Sequence, residues 1–325
     1  MRLDRLDQVL FSVKEHPVFA KIKDGTTSRY LSIPSKKAIV NVDRNCVLGV
    51  VSRDYRLITN REALDWAYEC CVAVFPQTKP SEWEVKATDA PSTAGYCHID
   101  LRHNSAALDF TFIPQSQKPD AFGPFIRVTN SYNGLRALSF DIGFYRKVCT
   151  NGLIAPQSII RFSFNHLRRE IGETIKFEIA EDKLAQVRAS MSSHFNLLRN
   201  CVVPRKDFGT LVMSALLLKR PEPWNPKSRI ATEWQALDSE LTKMNDRYAN
   251  ELGENAYSVF NTMTEFASHP PVNQCVRRDR HSFQKLTGAW LISFTQECVK
   301  SDFSLERYLE NTTFAESKLS NISRN

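Results

Sequence analysis

The hydrophobic periodicity of this 325-residue chain changes near residue 175, and that change constrains the fold more than any other feature of the sequence. Before it, apolar residues alternate with polar ones in short runs such as 95–102, which is typical of β-strands. After it, Leu184, Val187 and Met191 recur at intervals of three or four, which predicts an amphipathic helix. Strands followed by helices predict an α+β fold, in which helices pack on one side of an antiparallel sheet.

The same change divides the chain into two predicted parts. Residues 1–175 are expected to form an antiparallel, β-rich α+β domain with a central basic hairpin. Residues 176–325 are expected to form a mostly helical subdomain packed on it. No linker-like stretch marks the boundary, so the sequence favours two closely packed subdomains.

The N-terminal segment predicts a short helix. Leu6, Val9 and Val13 are spaced to share one helical face, and Pro17 is expected to end the helix. A second helix is predicted to begin at Thr59 or Asn60, because either side chain is a suitable N-cap. Between these helices, short strands are predicted at 29–33, 37–41 and 47–51. Later helices are predicted near 184–195, 207–218, 231–250, 255–267 and 280–299.

The stretch 125–153 is predicted to form a β-hairpin around which the rest of the chain packs. Its strands, at 125–130 and 137–145, are joined by Asn133-Gly134, a pair suited to the positive φ of a tight turn. The stretch carries four basic residues and one acidic residue. Proteins that bind single-stranded nucleic acid combine such cations with flat rings on which bases stack.

Strand alternation separates core from surface in this hairpin. If Phe140 and Phe144 point inward, Tyr145 points outward, and Tyr132 and Tyr145 become the stacking candidates. The predicted nucleic-acid-binding residues are Arg127, Tyr132, Arg136, Tyr145, Arg146, Lys147, Arg168 and Arg169. A hairpin that serves folding alone is the alternative.

The charge of the chain is unevenly distributed. The net charge of +7 comes from 43 basic and 36 acidic residues. Residues 121–170 hold seven basic and two acidic residues, whereas residues 61–120 hold five and nine. A concentrated excess favours a polyanion partner, and a solvated basic face is the alternative. No apolar run approaches the ~20 residues of a membrane span, so we expect no membrane association and a cytoplasmic location, the host cytoplasm if the protein is phage-borne.

The sequence shows no catalytic set, and we expect no cofactor and no metal. The eight cysteines form no CxxC pair, and no Gly-rich phosphate loop is present. Cys149 follows two basic residues and is a nucleophile candidate, against the alternative of a buried, inert thiol. His98, Asp100 and His103 form the one His/Asp cluster, compatible with a metal-dependent nuclease or with the polar face of a strand.

Four segments of the chain resemble one known family. They are RDYRLITN, VTNSYNGLRAL, RKVCTNGL and YSVFNTMTEFASH. They are similar to segments of the phage/plasmid-like protein family known as domain of unknown function 932, which is found on prophages, plasmids and integrative elements. The RxVCxNxL motif and the Asn-Ser-x-x-Gly hairpin are the most specific parts of the resemblance, which covers most of the chain. The family has no established activity, and its setting implies DNA metabolism, anti-restriction or defence.

A helix on a meander of antiparallel strands with a basic hairpin also resembles the architecture of phage single-strand annealing proteins. Three functional hypotheses follow. The first is a non-catalytic DNA-binding protein of a mobile element, with single strands favoured and a role in annealing or recombination. The second is an interaction protein that acts on a host or phage protein of defence, restriction or replication without binding nucleic acid. The third is an enzyme such as a nuclease. Self-association stays open in each.

Overall fold

The α+β class is confirmed by a computed structural model, with antiparallel sheets in the N-terminal half and helices in the C-terminal half. The structure describes residues 2–24, 26–111, 121–146, 152–154, 161–167, 177 and 181–312. Internal contacts divide the chain into two compact units. Unit 1 comprises residues 1–109, 123–143 and 157–181, and unit 2 comprises residues 110–122, 144–156 and 182–325. The last crossing from unit 1 to unit 2 follows Glu181, and the sequence places its boundary after residue 175.

A three-stranded antiparallel sheet begins unit 1, after the short strand β1 (Arg2–Leu3). Its strands are β2 (Val13–Asp24), β3 (Thr27–Asn41) and β4 (Cys46–Ser52), in the order β2-β3-β4. The predicted N-terminal helix is therefore wrong: only residues 6–8 form a helical turn, of the 3-10 type. Pro17 lies within β2, at an irregularity in the register, because an edge strand tolerates a residue that lacks an N–H donor.

Helix α1 (Asn60–Val74) begins where the sequence predicts. The Thr59 hydroxyl accepts a hydrogen bond from the Glu62 N–H at 3.1 Å, and the Glu62 carboxylate accepts one from the Thr59 N–H at 2.7 Å. This reciprocal capping box satisfies two backbone donors that a helix start otherwise leaves unpaired. Leu64, Ala67 and Cys71 form part of the buried face of the helix.

The main sheet of unit 1 brings distant parts of the chain side by side. Its strands are β5 (Trp83–Pro91), β6 (Tyr96–His103), β8 (Ala121–Ser131), β9 (Leu138–Arg146) and β11 (Arg161–Phe164). They lie in the order β1-β5-β6-β8-β9, with β11 also paired to β9. The strands β8 and β9 are the predicted hairpin, and Gly134 between them has the predicted positive φ, 73°.

The base of the three-stranded sheet approaches the turn of this hairpin closely. A Cβ atom placed on Gly49 of β4 would lie 2.5 Å from the Cα of Asn133. Only a glycine allows the two backbones to come this near. The absence of a side chain at Gly49 therefore fixes the position of β4 against residues 132–134 within unit 1.

Unit 2 is built mainly from helices. Two short strands precede them, β7 (Phe110–Thr111) paired with the start of β8, and β10 (Gly152–Ile154) beside β9. The helices are α2 (Glu181–Asn200), α3 (Arg205–Ala215), α4 (Arg229–Leu252), α5 (Ala256–Ser268) and α6 (Arg280–Cys298). Among the described helices, none combines the length and hydrophobicity that crossing a bilayer requires.

The helix α5 lies at the centre of unit 2, because nearly every one of its residues is buried. Its N-cap is Asn255, whose side chain accepts a hydrogen bond from the Ser258 N–H at 3.0 Å. The rings of Tyr257 and Phe260 pack within 5.6 and 5.4 Å of the Phe195 ring on α2. Buried aromatic pairs of this kind hold the helices together.

Candidate nucleic-acid interface

Arg127, the first predicted phosphate contact, lies inside the protein with none of its surface exposed. It stands opposite Asp100 in the pairing of β8 with β6. Its Nε and Nη2 atoms donate to the two Asp100 carboxylate oxygens at 2.5 and 2.6 Å. Burial alone would lower the pKa of Arg127, but the facing Asp100 carboxylate outweighs it and raises that pKa above its ordinary value. Because this guanidinium is fully buried, it does not reach a nucleic acid in this conformation.

The same face of the sheet carries further buried polar groups. Asp89 on β5 stands opposite His98, whose Nδ1 lies 2.8 Å from the Thr129 hydroxyl. Asp141 on β9 accepts a hydrogen bond from Ser139 at 3.1 Å. The layer therefore sets basic groups beside carboxylates, and buried charges of both signs need such pairing. Its chemistry indicates a structural role.

The predicted His/Asp cluster is divided by the strand. His98 and Asp100 share one face of β6, whereas His103 projects from the other face because side chains alternate. His103 packs edge-on against Trp83, with ring centroids 5.5 Å apart. Within the described residues, no group of three or more His, Cys, Asp or Glu side chains could hold a metal ion.

Tyr132, the predicted stacking ring, is also fully buried. Its hydroxyl accepts a hydrogen bond from the Asn60 N–H at 2.8 Å, at the first turn of α1. Asn130 donates to the Ile58 carbonyl at 2.9 Å and to the Asn60 side chain at 2.8 Å. These bonds tie the end of β8 to the start of α1. Tyr132 therefore contributes to folding, and its ring face is not accessible to a base.

The remaining predicted site residues do not form an exposed row in the described part of the chain. Arg136 is half-buried, with its guanidinium 5.0 Å from the centre of the Tyr96 ring. Tyr145 is half-buried and Arg146 is 5% exposed. The predicted residues Lys147, Arg168 and Arg169, and the candidate nucleophile Cys149, lie outside the described residues.

The exposed basic and aromatic surface lies instead on β2 and β3. We call residues 19–32, the outer part of this two-stranded ribbon, the arm. Side chains 19–23 and 26–32 are all exposed. Phe19 is 53% exposed and Tyr30 is 65% exposed, although rings of this size are usually buried at least in part. Exposed aromatic rings on a ribbon with solvent on both faces indicate a binding surface.

The register assigns the side chains of the arm to two faces. Phe19, Lys21 and Lys23 on β2 face the same way as Ser32, Tyr30 and Ser28 on β3, because directly paired residues share a face. We call this set the aromatic face. Ala20 and Ile22 share the opposite face with Leu31 and Arg29, and we call that set the aliphatic face.

The aromatic face alternates rings with cations. Lys21 stands directly opposite Tyr30, and Phe19 is the diagonal neighbour of Tyr30 at the next position along β2. Directly opposite Cβ atoms lie roughly 5 Å apart and diagonal ones roughly 7–8 Å apart. Two rings at this spacing can each stack a base, and the lysines beside them can contact phosphates. The β2–β3 segment from residue 13 to 41 carries six Lys or Arg residues and two acids.

The sequence contains a signal for this arm that the helix prediction obscured. The pattern VFAKIKDGTTSRYLSI alternates on both sides of Asp24-Gly25, and Asp-Gly between alternating runs is a strong hairpin signal. The spacing of Leu6 to Val13 fits a helix equally well, and Pro17 then reads as its end. The two possibilities separate only when Pro17 is allowed at an edge strand.

Comparison with known proteins identifies a family. The model of the family described as Domain of unknown function (DUF932) matches residues 47–290. No curated protein and no solved structure matches the chain. The match begins after β3, so the arm lies before the matched region.

Proposed function

The chain belongs to the domain of unknown function 932 family, whose description names no activity, and from the geometry of the arm we propose that this member binds single-stranded DNA. The observation that carries the proposal is the aromatic face, where Lys21 stands opposite the exposed ring of Tyr30. Bases stack on the rings of Phe19 and Tyr30, and Lys21 and Lys23 neutralise phosphates. The binding is non-catalytic.

Single strands suit this surface better than a duplex. The face of an aromatic ring takes a base only when that base is unpaired and unstacked from its neighbours. Duplex DNA buries its base faces and offers a narrow ribbon mainly its phosphates. In a cytoplasmic mobile element, such binding would serve annealing or recombination.

The titration of a fluorescein-labelled oligothymidine, followed by anisotropy, tests the proposal. An oligonucleotide of about 20 nucleotides exceeds the site size of a single binding module. We expect saturable binding that weakens steeply as salt is raised, and weaker binding of a duplex of the same length. Undetectable binding at low salt would overturn the proposal.

A protein partner is the second candidate, and the aliphatic face favours it. Ile22 is 36% exposed and Leu31 is 45% exposed on this face, without a covering element. If single-stranded DNA does not bind, and Leu31→Ser rather than Tyr30→Ala removes a function of the chain in its host, the arm serves a host or phage protein.

A further inference from the structure

Two cysteines of unit 2 lie in side-chain contact although they are far apart in sequence. Cys201 directly follows α2, and Cys298 is the last residue of α6. Their thiols share a hydrogen bond. Both side chains are partly exposed, so a small reagent from solvent can reach them. Neither residue belongs to the arm, and neither takes part in the proposed DNA binding.

The backbone around Cys201 is held in place on both sides. Its N–H donates to the Leu197 carbonyl at 3.1 Å, and its carbonyl accepts from the Ala256 N–H at 2.9 Å. The helices α2 and α6 also meet nearby, where His194 Nδ1 lies 2.6 Å from the Thr295 hydroxyl. The contact between the thiols is therefore part of a helix–helix interface.

The hydrogen bond distinguishes the two sulfurs. Cys298 donates and Cys201 accepts, so the bond lowers the pKa of Cys201 and raises that of Cys298. The thiolate is the nucleophilic form of cysteine. The other cysteines differ: burial raises the pKa of Cys70 and of Cys97, the latter to about 12. The pair is therefore the place in unit 2 where a reactive thiol and a second thiol meet.

We propose that Cys201 and Cys298 form a dithiol site that reacts with hydroperoxides and closes to an intramolecular disulfide. The Cys201 thiolate attacks one peroxide oxygen, the O–O bond breaks, and the departing oxygen takes a proton to leave as water or an alcohol. The Cys298 sulfur then attacks the sulfenic acid on Cys201, the S–O bond breaks, and the hydroxyl leaves as water with the thiol proton. Two thiols are oxidised and one peroxide is reduced.

The disulfide would join the end of α2 to the end of α6. A cross-link between segments so distant in sequence restricts the unfolded chain strongly. The oxidised protein is therefore expected to unfold at a higher temperature than the reduced protein. Reduction with dithiothreitol should reverse the shift.

The test treats the reduced full-length chain with hydrogen peroxide and then alkylates it with a maleimide under denaturing conditions. Intact mass should show two fewer adducts than the eight of the reduced chain, and a peptide map should show a Cys201–Cys298 link. In Cys298→Ser, the sulfenic acid on Cys201 should persist and react with dimedone. The control Cys46→Ser, at an exposed cysteine of β4, should form the disulfide as the wild type does.

Two results would overturn the inference. One is a wild-type chain that keeps all eight alkylatable thiols at peroxide concentrations that oxidise the exposed Cys46. The other is a peptide map that shows a link between different cysteines. Both results come from the wild-type protein, so a variant that fails to fold does not obscure them.

Discussion

Lys21 and Tyr30 face each other across β2 and β3, and both project from an exposed ribbon. The pairing sets a cation beside a ring that is 65% exposed. Within the central hairpin the corresponding pair, Arg127 and Asp100, is fully internal. The two pairs show why burial, and not residue type, separates a binding surface from a folding element in this chain.

Removal of the Tyr30 ring is expected to weaken DNA binding. Loss of one stacked base costs about 1–3 kcal/mol, so Tyr30→Ala should raise the Kd for oligothymidine by roughly 5- to 150-fold. Tyr30→Phe keeps the ring and is the matched control, with a Kd close to that of the wild type. Equal binding by Tyr30→Ala and Tyr30→Phe in the anisotropy titration would argue against stacking.

Removal of Lys21 should change the salt dependence as well as the affinity. One phosphate contact to a single strand contributes about 0.7 to the slope of log K against log salt concentration. We expect Lys21→Ala to reduce that slope by about this amount. Arg29→Ala removes the same charge from the aliphatic face and should change the slope less. A larger effect of Arg29→Ala would place the DNA on the other face of the arm.

The Asp100–Arg127 pair is expected to stabilise the fold and not to bind DNA. Asp100→Asn leaves a fully buried guanidinium without its carboxylate partner, and breaking a buried pair costs about 3–5 kcal/mol. Urea unfolding should show this loss, whereas Arg29→Ala on the exposed arm should change the free energy of unfolding by less than about 0.5 kcal/mol. A loss below about 1 kcal/mol in Asp100→Asn would contradict a fully desolvated pair.

Acid is expected to destabilise the protein partly through His166. Burial lowers the pKa of His166, and its ring stacks on Tyr55 with centroids 4.6 Å apart. The folded chain therefore keeps this imidazole neutral while the unfolded chain takes up a proton. The free energy of unfolding should fall as pH drops below 6.5, the ordinary value, until pH passes the lowered pKa of the folded state.

The variant His166→Gln isolates this contribution in urea unfolding between pH 7 and pH 5. We expect it to flatten the pH dependence in part, because burial also lowers the pKa of His194. The exposed His16 gives a matched control, since His16→Gln should keep the wild-type dependence. An unchanged dependence in His166→Gln would show that this imidazole does not stay neutral in the fold.

Local signals in the sequence were sufficient for much of the fold. Thr59 and Glu62 form the capping box that their spacing allows, and Gly134 takes the positive φ expected of it. Helices α4, α5 and α6 begin after Ser, Asn and Asp caps. Such features depend on neighbours within a few residues, which a sequence pattern contains.

The candidate site could not be located in the same way. Arg127 is 27 residues from its partner Asp100, and alternation does not indicate which face of a strand is buried when both faces are covered. The arm was missed because Leu6, Val9 and Val13 fit a helical period and Pro17 fits its end. Both errors concern contacts made by strand pairing at long range, which local periodicity does not specify.

Photocrosslinking tests the central claim most directly, because it locates the DNA on the protein. A single strand that carries 5-iodouracil is bound to the full-length chain, irradiated, digested and mapped by mass spectrometry. The account predicts adducts on Tyr30 or Phe19, and their loss in a chain that carries both Tyr30→Ala and Phe19→Ala. Efficient crosslinks confined to residues outside the arm would contradict it.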